Sequence, residues 1–158
     1  MPGRDGGVPR FDEQDRELLL EELDGFTASL PDEDARIPYL ALRRDIETGQ
    51  VSPENVPSLE NILELTLQSG RVRRRQSAVA EKRLLRLFNG TPRGAAVKQA
   101  VAETNEALAA LKGQVIDTVS FTPGTPGAYR LLIDTEAFRV DLEITRRGVS
   151  VKNVEIGI

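Results

Sequence analysis

Apolar residues recur every three or four positions across residues 11–112, then every second position to the end of the chain, the change falling at Lys112-Gly113. The first spacing is that of helices with one buried face, and the second is that of strands. Leu19, Leu23, Phe26 and Leu30 share one face of a first helix, opened by Asp12 as N-cap and closed by Pro31, with Gly25 weakening its middle. A second helix is expected over 35–48, striped by Tyr39, Leu42 and Ile46 and stopped at Gly49, with Pro38 in its first turn. Residues 49–57 carry two prolines and read as a loop. Ser58 is then expected to cap a third helix faced by Leu59, Ile62, Leu63 and Leu67. Gly70 either kinks or divides the helical run that continues through RVRRR to LLRLF (84–88) and stops at Asn89-Gly90.

Thr91-Pro92 gives the clearest start signal, an N-cap threonine followed by proline at the first helical position. In the helix it opens, Val97, Val101, Thr104, Leu108 and Leu111 alternate four- and three-residue steps, a seam suited to a helical partner. From Val115 the runs VIDTVSFT, AYRLLID, AFRVDLEIT and VSVKNVEIGI are separated by turn-rich residues. Phe138, Val140, Leu142 and Ile144 point one way and Arg139, Asp141 and Glu143 the other. In the last run Val149 and Val151 fall one residue out of step with Val154, Ile156 and Ile158, so a β-bulge is expected near Lys152-Asn153.

The pattern predicts an α+β chain: about four helices followed by a four-stranded antiparallel meander with helices over one face. Residues 1–10, rich in Gly and Pro, read as a tail. Residues 11–112 form the helical region and 114–158 the sheet, the two expected to fold as one unit. The order of the strands is left open.

Composition narrows the chemistry. The 158 residues contain no His and no Cys, which removes His-based triads, thiol nucleophiles, disulfides and the commonest transition-metal ligands. No phosphate-binding glycine motif occurs, and no cofactor or metal site is expected. No stretch approaches a membrane span and residues 1–10 lack a secretory apolar region, so a cytoplasmic protein without a membrane partner is the expectation.

The net charge of -4 hides a segregation: -10 over residues 1–70, +8 over 71–98 and -2 over 99–158. Arg71, Arg73, Arg74, Arg75, Lys82, Arg83 and Arg86 are candidate contacts for an anion or a protein partner. No aromatic residue interleaves them for base stacking, and pairing with the acidic first helix competes with nucleic-acid binding. Arg74-Arg75-Gln76-Ser77 also resembles a short phosphorylation pattern. The cluster Asp32-Glu33-Asp34 reads as helix-start chemistry. Asp141 and Glu143, two residues apart on one strand face, are the carboxylate pair an enzyme could use, but their neighbours Arg139 and Thr145 favour a solvated face with cross-strand ion pairs.

The leading expectation is a non-catalytic interaction or scaffold protein that self-associates, as a homodimer, through Val97, Val101, Leu108 and Leu111. Polyanion binding through residues 71–98 is the alternative, and a carboxylate-based enzyme the second. The C-terminal strand, which ends in apolar residues, is a further surface that reads equally as a seam for another chain or as an ordinary paired strand with Lys152 and Glu155 as edge protection.

Overall fold

A computed structural model describes residues 8–157. The first seven residues of the expected tail, and Ile158, lie outside the described residues. The chain divides into two compact units, one ending at Ala95 and the other beginning at Ala96.

The first unit is helical. Helix α1 (Glu13–Ser29) opens on a reciprocal cap: the Asp15 amide donates to the Asp12 carboxylate at 2.9 Å and the Asp12 amide to the Asp15 carboxylate at 3.0 Å. Helix α2 (Glu33–Thr48) starts two residues before the expected position. The cause is Asp32, whose carboxylate accepts from the Asp34 amide at 3.1 Å and caps the helix there. Pro38 therefore sits inside α2 rather than in its first turn, where its ring nitrogen has no hydrogen to give residue 34.

A 3-10 turn, Pro53–Asn55, feeds directly into α3 (Val56–Ser69), so Ser58 lies within the helix and does not cap it. The approach is fixed by Asp45, which accepts from the Ser52 amide and from Asn55 Nδ2, each at 2.7 Å. Gly70, at φ 61°, ends α3 in the left-handed conformation that glycine adopts at little cost. The basic stretch then forms its own short helix α4 (Arg71–Arg75). Ser77 restarts the chain by accepting from the Ala80 amide at 3.1 Å, and α5 (Ala78–Asn89) follows. With α6 (Pro92–Ala109) there are six helices among the described residues, not about four, because Gly70 and Ser77 cut the expected run into three.

Thr91 is fully buried between α5 and α6. Its hydroxyl accepts from the Gly94 amide at 3.1 Å and donates to the Phe88 carbonyl at 2.7 Å. A Cβ on Gly94 would stand 1.9 Å from that carbonyl oxygen, so only glycine fits. Below these caps Leu19, Leu23, Leu42, Ile46, Leu59, Ile62, Leu63, Val72, Leu84 and Leu87 form one closed core. Each such leucine contributes about 1.5–3 kcal/mol of burial. Val8 packs against this core, so part of the expected tail is structured.

The second unit comprises the later part of α6 and a sheet of β1 (Ile116–Pro123), β2 (Ala128–Thr135), β3 (Phe138–Thr145) and β4 (Gly148–Ile156). The strands are antiparallel in the order β1-β2-β3-β4, a simple meander. Opposite β3, Asp141 meets Asn153 while Leu142 meets Val151, so Lys152 is the extra residue of a bulge. The expected parity correction is thus present, and Val149, Val151, Val154 and Ile156 share one face. A second irregularity sets Asp117 aside between Ile116 and Thr118. Ala107, Leu108 and Leu111 pack on Leu131, Val140, Leu142, Val149 and Val151. The last helix therefore contributes to the sheet unit, whose boundary falls within α6, while the change from helix to strand lies between Ala109 and Ile116.

Candidate interaction surfaces

Helices α4 and α5 carry the basic segment, and their break at Gln76-Ser77 distributes its cations over two sides. Arg83 and Arg86 point to the start of α1. Arg83 donates to Asp12 and Asp15, each at 3.0 Å, and Arg86 also pairs with Asp15, a carboxylate with no exposed surface. Hydrogen bonding from the Asp15 amide, and then from Arg83, holds the Asp12 carboxyl below its ordinary pKa. Arg71 donates to the buried Glu22 at 2.8 Å, and Gln76 reaches Glu21 at 2.9 Å. The acidic first helix thus takes up Arg71, Arg83 and Arg86. Asp12, Asp15, Arg83 and Arg86 line a cleft of about 660 Å³ together with Arg10, Phe11, Val79 and Lys82, and the two carboxylates there are ion-paired to Arg83 and Arg86.

The remaining cations are differently placed. Arg73, Arg74, Arg75 and Lys82 are exposed. Among the described residues Arg73 pairs with Glu81, at 3.8 Å, and Arg74 donates to the Ser69 carbonyl at 2.9 Å. Ser77, the candidate phosphorylation residue, is the N-cap of α5.

The seam on α6 splits in two. Leu108 and Leu111 lie against the sheet, with Thr104 and Ala107 buried beside them. Val97 is half-buried and Val101 is 45% exposed, so the earlier part of the stripe is the open part.

The carboxylate pair on β3 is tied to cations. Asp141 is buried beneath Arg130, with which it forms a two-pronged ion pair, and Glu143 meets Lys152 at 3.1 Å. Arg139 bridges Asp134 and Glu155 at 2.5 and 3.8 Å. These are cross-strand ladders on the polar face of the sheet. Among the described residues no group of three or more carboxylates is arranged to hold a metal ion. No helix among them is long and apolar enough to cross a membrane.

The opposite sheet face bears no charge. From the register it consists of Ile116, Val119, Phe121 and Pro123 on β1, and of Tyr129, Leu131, Ile133 and Thr135 on β2. Phe138, Val140, Leu142 and Ile144 continue it on β3, and Val149, Val151, Val154 and Ile156 on β4. Helix α6 covers its centre and leaves the β1–β2 side open. Ile116 is 53% exposed, Val119 57%, Phe121 60% and Tyr129 49%, and the rings of Phe121 and Tyr129 stack at 5.4 Å. The sequence pattern did not single these residues out. Its usable signal was the absence of any charge from 118 to 122.

No known family model, curated protein or solved structure matches this chain.

Proposed function

We propose that the protein is a non-catalytic interaction or scaffold protein, cytoplasmic and acting as a homodimer, whose sheet unit supplies the self-associating surface. The observation that carries this reading is the uncharged sheet face left open beside α6. Four large side chains at roughly half exposure present on the order of 400 Å². That matches the nonpolar share, about 57%, of the roughly 800 Å² each partner buries in a standard interface. Burying two such strips together yields on the order of 20 kcal/mol gross at about 25 cal/mol per Å². Association costs roughly 4–15 kcal/mol, so the gross term exceeds it.

Light scattering over a wide concentration series tests the reading. The mass should rise from 17.4 kDa toward twice that value. A monomer at the highest concentration reached would reject it.

A second reading has its own observation: Arg73, Arg74 and Arg75 lie on one exposed helical turn, outside the ion pairs that occupy Arg71, Arg83 and Arg86. It assigns this turn and Lys82 to a polyanion, bound through phosphate or sulfate groups with strong salt dependence. Changing all three arginines to Glu should abolish retention on heparin. Unchanged retention would remove this reading.

A further inference from the structure

The two edge strands of the sheet differ in what protects them. An open edge offers unpaired N–H and C=O groups to any other strand, and folded proteins block this with charges, prolines, bulges or cover. Strand β4 carries such devices along its length: the bulge at Lys152, then Asn153, and Glu155 within reach of Arg139. Strand β1 has them only at its ends, the Asp117 irregularity at one and Pro123 at the other. Between them Thr118-Val119-Ser120-Phe121-Thr122 has no charge and no proline, and all but Ser120 are exposed.

This segment is also complementary to itself. In an antiparallel pairing of two copies with a two-fold axis at Ser120, each Val119 lies opposite the partner subunit's Phe121, and each Thr118 opposite the partner's Thr122. Within each pair the two residues share a face, Val119 and Phe121 on the uncharged one and Thr118 and Thr122 on the other, because positions related in this way have the same parity. Aromatic against β-branched and threonine against threonine are favourable cross-strand combinations, and no like charges oppose each other. A partner of a different sequence would need to supply this match, whereas a second copy has it by symmetry.

We propose that two copies join through β1, edge to edge and antiparallel, into one continuous eight-stranded sheet centred near Ser120. The proposal rests on the self-association reading and adds its surface, direction and register. Joining the edges pairs the free backbone groups of residues 118–122 and sets the two Val119–Phe121–Tyr129 strips side by side on one face, where Val119 and Phe121 gain lateral cross-strand contacts.

The absence of native cysteine makes the test direct. A Ser120→Cys chain has a single thiol, which the two-fold axis places opposite its equivalent. Opposed Cα atoms in antiparallel pairs stand about 4.5–5.5 Å apart, within the roughly 4.4–6.8 Å a disulfide spans. Mild oxidation should link this chain at least about tenfold faster than an Asn153→Cys chain, whose thiol lies on the other edge strand. Equal rates, with dimer mass retained in light scattering, would overturn the β1 seam and leave self-association standing. A monomer at every concentration would overturn both. A second variant, Val119→Lys, changes an exposed side chain. It should weaken dimerisation at least about tenfold while leaving the circular dichroism spectrum intact, and an unchanged dimer affinity would also overturn the proposal.

Discussion

The helical unit and the sheet unit spend their apolar residues differently. In the first, five helices close around one core in which ten large side chains are sealed. Its buried carboxylates Asp15, Glu22 and Glu60 each meet an arginine. In the second, Ala107, Val140 and Leu142 form the buried centre, while Ile116, Val119, Phe121, Tyr129 and Ile156 remain about half or more open. The helical unit has a sealed core, although Ile37, Leu65 and Val79 stay exposed on it. The sheet unit has apolar surface left over, and that remainder is what a second chain could take up. The two units thus differ in how completely they seal their apolar residues.

The sharpest way to break this division is Gly94→Ala. The new methyl would collide with the Phe88 carbonyl, which is backbone and cannot rotate away. A loss of about 3 kcal/mol or more is expected in denaturant unfolding, at the high end for a single substitution. Leu63→Ala, in the sealed core of the helical unit, should cost about 2–5 kcal/mol, and dimer affinity should be unaffected because β1 belongs to the other unit. Asp15→Asn removes the negative charge shared by Arg83 and Arg86 while keeping an oxygen to accept from the Asp12 amide. The two arginines retain partial solvent access, so the expected cost is smaller, roughly 1–3 kcal/mol.

The smallest effect is that of acid. Asp12 is held below the ordinary carboxyl pKa of 3.8 by its hydrogen bonds from Asp15 and Arg83. At Asp45 burial acts upward, but hydrogen bonds from Asn55 and Ser52 outweigh it and the net direction is again down. Both groups add stability that is complete above about pH 3.8 and is lost as pH falls below that value through their lower folded pKa. Unfolding midpoints of the helical unit should therefore drop below that pH, and Asp45→Asn should flatten the drop.

Much of the fold was legible because local chemistry decided it. Asp12 capped the first helix and Thr91-Pro92 opened the last one, as their residue types require. The bulge at Lys152 was readable from parity alone, since only an inserted residue lets Val151 and Val154 share a face. Where two signals competed, reading stopped short. Asp32 overrode Pro38 in setting the start of α2, and the Asp45 hydrogen bonds moved the start of α3 ahead of Ser58. The basic segment was recognisable as a partner for the acidic first helix, but which arginines paired depended on the break at Ser77, which turns α5 away from α4. The open surface was the least legible. The shift at Asp117 hides the alternation of Ile116, Val119 and Phe121, and exposure on β1 depends on the strand order, which no local pattern encodes.

Amide hydrogen exchange at low and high protein concentration tests the central claim most directly. In an edge strand every second amide points outward, and within residues 118–122 those amides should exchange fast when dilute and slow markedly as concentration rises. The amides of β4 and of the helical unit should keep the same rates throughout. If both edges exchange at rates independent of concentration, or if protection appears on β4 instead, the assignment of self-association to β1 is contradicted.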